Sequence, residues 1–202
     1  MSKQPPFVVG ISGASGIQYG ICLLKVLRDQ GIPTHLIVSS AAQMVCNCET
    51  ELSLQHLKSL CDVYYNPKDF LAPIASGGMK TAGMIIAPCS TKSLSEIAHC
   101  NPNNLLTRAA EVTLKERRRL VLLLRETPLT LSHIDNMRKV TEMGGIIYPP
   151  VPAFYSQPSS LFEMVQHTIY RALALFDIDI PETKIWQGTK QKSHDSALCE
   201  MA

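Results

Sequence analysis

The feature that most restricts the fold is a pair of short segments that are apolar at every position. Residues 120–124 read Leu-Val-Leu-Leu-Leu, and residues 83–87 form a second run of this kind. A strand with one face in water alternates apolar and polar residues, whereas a strand of a parallel sheet is buried on both faces and is apolar throughout. The two segments therefore predict central strands of a parallel sheet that helices cover on both sides.

Strand-like and helix-like segments alternate along the chain, which predicts βαβ units and an α/β, Rossmann-like doubly wound parallel sheet. Strands are expected near residues 7–12, 34–38, 83–87, 120–124 and 145–148. The first helix is the clearest, because Ile17, Ile21 and Leu24 recur at helical spacing and Gly31 supplies a stop. Residues 62–82 and 149–160 are predicted to be longer irregular stretches.

The length and composition favour one domain and exclude several classes of protein. A chain of 202 residues with 46% hydrophobic content is long enough for a single core, and a net charge of +2 does not favour a nucleic-acid partner. No apolar stretch approaches the length of a membrane span. The seven cysteines and six histidines lack the spacing of a metal site. We expect a cytoplasmic protein with reduced thiols and no metal.

Small and hydroxyl residues follow the predicted strands. Gly13-Ala14-Ser15, Ser39-Ser40, Ser90-Thr91 and Arg125-Glu126 come after four of them. Ligands of doubly wound sheets bind beyond the carboxyl ends of the strands. Helix N-termini beside hydroxyl groups also favour phosphate. Capping alone explains any single turn, but the four together predict a site for a phosphorylated ligand.

Several longer motifs carry a resemblance to a known family. They are Gly10-Ile-Ser-Gly-Ala-Ser-Gly16, Pro88-Cys-Ser-Thr-Lys-Ser-Leu94, Leu105-Leu-Thr-Arg-Ala-Ala-Glu-Val-Thr-Leu-Lys-Glu-Arg-Arg118, Arg125-Glu-Thr-Pro128 and Pro149-Pro-Val-Pro-Ala-Phe-Tyr155. From about residue 7 to Trp186 the chain resembles the UbiX flavin prenyltransferases. The resemblance implies a flavodoxin-like FMN-binding domain over residues 1–186, followed by a polar tail over residues 187–202.

The resemblance also implies an activity. Members of this family join the dimethylallyl group of dimethylallyl phosphate to reduced FMN without a metal. The product, prenylated FMN, serves a UbiD-type decarboxylase, in ubiquinone biosynthesis or in the decarboxylation of aromatic acids. The family forms homododecamers with active sites shared among subunits, so a high-order homo-oligomer is expected, with Arg108 and Lys115 acting across an interface.

The resemblance assigns functional residues by position. The expected FMN contacts are Gly13, Ala14, Ser15, Ser39, Ser90, Thr91, Lys92, Ser93 and Arg125. The expected contacts to dimethylallyl phosphate are Tyr155, Arg171, Lys115 and Arg108. The residues assigned to catalysis are Glu126, Glu49, Ser15, Trp186, Tyr155 and Lys115. Among these, Glu126 handles the proton, and Trp186 offers a ring face to an allylic cation.

Three other functions compete with this one. An FMN-dependent cysteine decarboxylase shares the fold, but it carries Pro-Ala-Met-Asn where this chain has Pro152-Ala-Phe-Tyr155. A non-catalytic FMN carrier has no need of the acidic and basic residues assigned to chemistry. A nicotinamide-dependent dehydrogenase is disfavoured, because the first turn lacks Gly-x-Gly-x-x-Gly.

Overall fold

The central element is a parallel sheet. In the computed structural model, which describes residues 4–185, the sheet has six strands in the order β3-β2-β1-β4-β5-β6. The strands are β1 Phe7–Ile11, β2 Thr34–Val38, β3 Val63–Tyr65, β4 Gly83–Cys89, β5 Leu120–Leu124 and β6 Ile146–Ile147. All neighbouring strands pair in parallel, so the predicted doubly wound parallel sheet is confirmed.

Seven α-helices join these strands within residues 4–185. They are α1 Ile17–Asp29, α2 Ser40–Glu49, α3 Leu54–Ser59, α4 Thr91–Ala98, α5 Leu105–Lys115, α6 Leu131–Glu142 and α7 Leu161–Ala174. Helix α1 begins at Ile17, as its periodicity predicted, and Gly31 adopts a positive φ of 66° just beyond its end. None of the helices described is long and apolar enough to cross a membrane.

The apolar central strands are buried on both faces. On β5, Val121 and Leu123 join a core cluster with α1 and α7, whereas Leu120, Leu122 and Leu124 join a second cluster with α4 and α5. Side chains alternate between the faces of a strand, so one uninterrupted apolar run supplies both cores. The prediction made from this segment is confirmed.

One strand was missed, and the predicted ends of β1, β4 and β6 differ from the observed ends by one or two residues. Residues 62–82 were predicted to be irregular, but this stretch contains the strand β3 and a short 3₁₀ helix, Pro73–Ala75. β3 has three residues and lies at the edge of the sheet beside β2, and such a short segment gives no usable alternation. β4 also continues to Cys89, two residues beyond the predicted end at residue 87.

Gly20 allows α1 to approach the sheet closely. A Cβ atom at this position would lie 2.5 Å from the carbonyl oxygen of Ala87 and 2.8 Å from a side-chain atom of Ile11. These distances are shorter than van der Waals contact, and a backbone carbonyl inside a sheet cannot move aside. Glycine is therefore required where α1 crosses β4.

We expect Gly20→Ala to lower the free energy of unfolding by about 2 kcal/mol, because displacing α1 costs more than the roughly 1 kcal/mol that alanine gains in helix propensity. Denaturant unfolding measures the change. Gly78→Ala is the matched control, since nothing lies within 4 Å of a Cβ atom built at Gly78. Equal stability of the two variants would contradict the close approach.

Candidate active site

A cleft opens at the carboxyl ends of the central strands. Because β2 and β4 lie on opposite sides of β1, the strand order reverses between β1 and β4, and this is where doubly wound sheets bind ligands. The cleft has a volume of about 620 Å³, within the usual range for small-molecule sites. Its lining residues are Gly13, Ala14, Ser15, Ser90, Thr91, Leu124, Arg125, Glu126, Thr127, Pro149, Pro150, Val151 and Pro152.

The turn after β1 forms one wall of this cleft. A Cβ atom at Gly13 would lie 2.4 Å from the Cβ atom of Ala41, so only glycine lets the turn pass the first residues of α2. Ser39 caps α2 by accepting a hydrogen bond from Ala42 N at 3.1 Å, and its own backbone N–H donates to Ile11 O at 2.9 Å. The N-terminus of α2 is thereby held beside the end of β1.

The turn after β4 forms the facing wall. Ser90 caps α4 by accepting a hydrogen bond from Ser93 N at 3.2 Å. The backbone N–H groups of Thr91 and Lys92, in the first turn of α4, have no hydrogen-bond acceptor within the helix. Such groups at a helix N-terminus favour an anion. The Lys92 ammonium forms an ion pair with Glu96, and Ser93 is buried, so neither side chain lines the cleft.

A buried hydroxyl group joins the two walls. Ser12 is 1% exposed, and its Oγ donates to Pro88 O at 2.9 Å while accepting from Ser90 N at 2.7 Å. The sequence analysis did not assign a role to Ser12. Its position in the Gly10–Gly16 motif was the only available signal, because the two partners lie more than 70 residues away in the chain.

The N-terminus of α1 binds a carboxylate of the protein itself, that of Glu49. The Glu49 carboxylate accepts hydrogen bonds from Gly16 N at 2.9 Å and from Ile17 N at 3.1 Å. The helix N–H groups for which the sequence pattern predicted a phosphate therefore bind this side chain. Burial raises the pKa of Glu49, but hydrogen bonds from Ser15, Gly16 and Ile17 and the charge of Arg125 outweigh it and lower the pKa below its ordinary value.

Arg125 connects β5 to both walls. Its backbone N–H donates to Cys89 O at 3.0 Å, and its Nε donates to Ser15 O at 3.1 Å. The neighbouring Glu126 is exposed, and its Oε1 accepts a hydrogen bond from Thr127 N at 3.0 Å. The lining of the cleft therefore contains a cation, Arg125, and a carboxylate, Glu126, both of which are exposed.

Tyr155 and Arg171 both act on Tyr148, which directly follows β6. Burial raises the pKa of Tyr148, the charge of Arg171 lowers it, and Tyr155 raises it further. Tyr155 lies in the 3₁₀ turn Phe154–Ser156, on the same loop as the prolines of the cleft lining. Arg171 lies in the last turn of α7. The two assigned residues thus have Tyr148 as a shared neighbour.

Arg108 and Lys115 do not join them within one chain. Both lie on α5, which packs on the opposite face of the sheet from α7. Lys115 ends α5 just before β5 begins, so the five residues of β5, about 16 Å at 3.3 Å per residue, separate it from the cleft edge. Arg108 forms an ion pair with Glu111 at 2.9 Å, and Lys115 pairs with Glu116.

Three further expectations concern groups elsewhere in the chain. Trp186 and the polar tail lie outside the described residues. Among residues 4–185, no cluster of three or more His, Cys, Asp or Glu side chains is arranged to hold a metal. The six cysteines in that range are all free. Cys89 is fully buried next to the cleft, and burial raises the pKa of its thiol to about 12.

The capping role of Glu49 predicts a pH-dependent contribution to stability. A carboxyl group whose pKa is lower in the folded state than in the unfolded state stabilises the fold at pH values above its unfolded-state pKa. This stabilisation is lost as the pH falls through the folded-state pKa. We expect Glu49→Gln to lower the free energy of unfolding by about 1 kcal/mol near neutral pH. The difference between wild type and variant should shrink below the ordinary carboxyl pKa of 4.5. Unfolding titrations across this range measure it.

Glu51→Gln is the control for this measurement, because Glu51 is exposed and lies just beyond the end of α2. It should leave stability unchanged at every pH. A Glu49→Gln penalty that stays constant down to pH values below the folded-state pKa would contradict a role for the charge.

Comparison with known proteins is consistent with this geometry. The Flavoprotein family model matches residues 1–169. A flavin prenyltransferase UbiX from Neisseria meningitidis serogroup B is 51% identical over 90% of this chain and 96% of its own length. A crystal structure of AnUbiX (PadA1) with FMN and dimethylallyl pyrophosphate has a TM-score of 0.91 and 40% identity, covering 93% of this chain and 100% of that chain. A dodecameric FMN-dependent UbiX-like decarboxylase from Escherichia coli O157:H7 has a TM-score of 0.88 and 40% identity, covering 91% and 100%.

Proposed function

Because this chain belongs to the UbiX flavin prenyltransferase family, we propose that it joins the dimethylallyl group of dimethylallyl phosphate to reduced FMN. The main support for the proposal is the cleft between β1 and β4, where the strand order reverses. This cleft combines helix N–H donors, serine hydroxyls and Arg125. The reaction breaks the carbon–oxygen bond of the prenyl phosphate and forms two bonds between the prenyl group and the flavin, the second at the expense of the prenyl double bond. The flavin loses two protons, of which one is taken up by the carbon of the former double bond and the other by the released phosphate. Inorganic phosphate leaves with the electron pair.

The residues of the cleft fit FMN. Gly13 lets the first wall pack closely against α2, and the N-terminus of α4 presents unsatisfied N–H groups to a phosphate. Ser15, Ser90 and Thr91 add hydroxyl groups for the ribityl chain and the phosphate. The apolar edge formed by Leu124 and the prolines of residues 149–152 suits a flat ring system. Ser39, Lys92 and Ser93 border these contacts without lining the cleft.

The prenyl phosphate is assigned to the neighbourhood of Tyr155 and Arg171. The Arg171 guanidinium would neutralise the phosphate, and the Tyr155 hydroxyl would donate a hydrogen bond to it in the bound substrate, a bond that strengthens as charge builds on the departing oxygen. Arg108 and Lys115 would complete the pocket from a neighbouring subunit. Their place on the far face of the sheet supports sharing, because one chain alone does not bring them to Tyr155.

The two acidic residues receive different roles. Glu126 is exposed at the cleft, so it is placed to accept a proton released from the flavin ring system. Glu49 has a lowered pKa and is held by two helix N–H groups, which makes it a weak base. We assign Glu49 to holding the first wall and orienting Ser15, to whose hydroxyl it is hydrogen bonded. Trp186, which lies outside the described residues, is still assigned to stabilise the allylic cation.

The alternatives are not favoured. Half of the residues over nine-tenths of this chain are identical to those of a flavin prenyltransferase, which disfavours a cysteine decarboxylase. A carrier that only binds FMN would not require Tyr155 and Arg171 next to the cleft. The proposal extends to a UbiD-type decarboxylase as the recipient of the product, to a dodecamer and to the cytoplasm. It also places the domain boundary at residue 186.

The activity can be tested directly. Anaerobic incubation of the protein with reduced FMN and dimethylallyl phosphate should give a released flavin heavier by one five-carbon unit, measured by mass spectrometry. Glu126→Gln and Tyr155→Phe should each lower the rate by about a hundredfold or more, since each removes one proton-handling group. Glu142→Gln is the matched control for Glu126→Gln, because Glu142 pairs with Arg138 on α6, away from the cleft.

Bound but unmodified FMN in the wild type would contradict the transferase proposal and favour the carrier. Failure to bind FMN would contradict the assignment of the cleft itself.

Sharing of the site between subunits predicts complementation. Lys115→Met and Tyr155→Phe are each expected to be inactive alone. The two variants are co-expressed with different tags, and oligomers that contain both are isolated. These oligomers should have roughly a quarter of the wild-type activity, because with random assortment about one shared site in four combines an intact Tyr155 from one chain with an intact Lys115 from the other. Mixed oligomers without activity would show that no site combines Tyr155 of one chain with Lys115 of another.

A further inference from the structure

The loop that carries Tyr155 has little backbone support of its own. Its hydrogen bonds are local, from Ser156 N to Ala153 O at 3.1 Å and from Gln157 N to Phe154 O at 3.0 Å. Pro149, Pro150 and Pro152 also lack the N–H group that could bind a neighbouring strand. Side chains from other elements connect the Tyr155 turn to the rest of the protein.

Within residues 4–185, His167 and Lys184 both contact this turn. The ring of His167, on α7, packs edge-on against the ring of Tyr155, with centroids 5.8 Å apart and an interplanar angle of 83°. The Lys184 ammonium donates a hydrogen bond to Ser156 O at 2.9 Å. One contact thus holds the side chain of Tyr155, and the other holds the backbone of the next residue.

The two side chains are also joined to each other. His167 Nε2 lies 2.9 Å from Lys184 O. A carbonyl oxygen only accepts hydrogen bonds, so Nε2 carries the proton and donates it. The contacts form a closed cycle, from His167 to Lys184, from Lys184 to Ser156, and from Tyr155 back to His167. In such a cycle each contact fixes the geometry of the next.

We propose that His167 and Lys184 form a clamp that positions Tyr155 for the prenyl phosphate. Both are positioning residues, since they act through the Tyr155 turn. The inference rests on the function proposed above, in which Tyr155 contacts the phosphate. It adds two residues that the sequence motifs did not single out.

The surroundings of the clamp argue against a role in the core. Lys184 is exposed and His167 is partly exposed, and both line a small cavity of about 220 Å³. Replacing such side chains leaves the two apolar clusters untouched and normally changes stability little. A change in catalysis without a change in stability would therefore report on positioning.

Three variants separate the parts of the clamp. Lys184→Met keeps the aliphatic stem and removes the ammonium, His167→Phe keeps a ring and removes the N–H donor, and Lys184→Arg restores a cationic donor. We expect the first two to raise KM for dimethylallyl phosphate on the order of tenfold, because loose positioning weakens a contact made to the bound substrate. Lys184→Arg should recover most of the loss. The FMN dissociation constant and the thermal midpoint should stay at wild-type values.

The chain offers a matched control pair. Lys139 Nζ lies 2.8 Å from His99 Nε2 in a contact between α6 and α4, on the face of the sheet opposite α7. Lys139→Met and His99→Phe remove the same chemical groups from an exposed lysine–histidine pair. Both should leave KM unchanged.

A double-mutant cycle decides whether the clamp acts through Tyr155. In the Tyr155→Ala background, Lys184→Met should have no further effect on KM, because coupled residues are not additive. A full tenfold effect in that background would overturn the proposal, as would wild-type KM values for Lys184→Met and His167→Phe in an active enzyme. A wild-type protein that transfers no prenyl group would overturn the proposed function and the clamp together.

Discussion

The hydroxyl group of Ser12 is the interaction on which the cleft depends. It bonds to the backbone of both Pro88 and Ser90, and so it fixes the end of β1 against the end of β4. These are the two strands between which the order of the sheet reverses. The α1 and α4 helices leave this point on opposite faces, and the cleft lies in the space that they leave. Together with the backbone hydrogen bond from Ser12 N to Pro88 O at 3.2 Å, the hydroxyl extends the contact between the two walls beyond the last paired residues of the strands.

The charges of the cleft follow from this arrangement. An anion from the chain, Glu49, occupies the N-terminus of α1, while the N-terminus of α4 keeps its first N–H groups for a ligand. Arg125 lies close enough to influence the Glu49 carboxylate and donates to Ser15. The carboxylate neutralises the α1 dipole, so a phosphate is directed to the α4 side. Two turns with similar sequences thus have different electrostatic roles.

The basic residues assigned to the prenyl phosphate are distributed over both faces of the sheet. Arg171 belongs to α7 on one face, and Arg108 and Lys115 belong to α5 on the other. A single parallel sheet keeps these groups apart, because helices on opposite faces are separated by the full thickness of the domain. The proposed phosphate pocket, which uses all of them, would therefore combine residues of two chains. The clamp of His167 and Lys184 answers a similar need within the chain, since the proline-rich loop carrying Tyr155 cannot anchor itself by strand pairing.

Local patterns in the sequence determined the fold class and the edge of the sheet at which the cleft lies. Apolar runs such as Leu120–Leu124 predict doubly covered strands, and small and hydroxyl residues after strands predict a ligand site, because both signals depend only on neighbouring residues. The short strand β3 was missed, since three residues carry no periodicity. Only the tertiary structure decided that Glu49 caps α1, that Ser12 joins two turns and that Lys184 reaches the Tyr155 turn. These contacts link residues 28 to 78 positions apart, and their geometry is set by the packing of helices on the sheet, which no local pattern records.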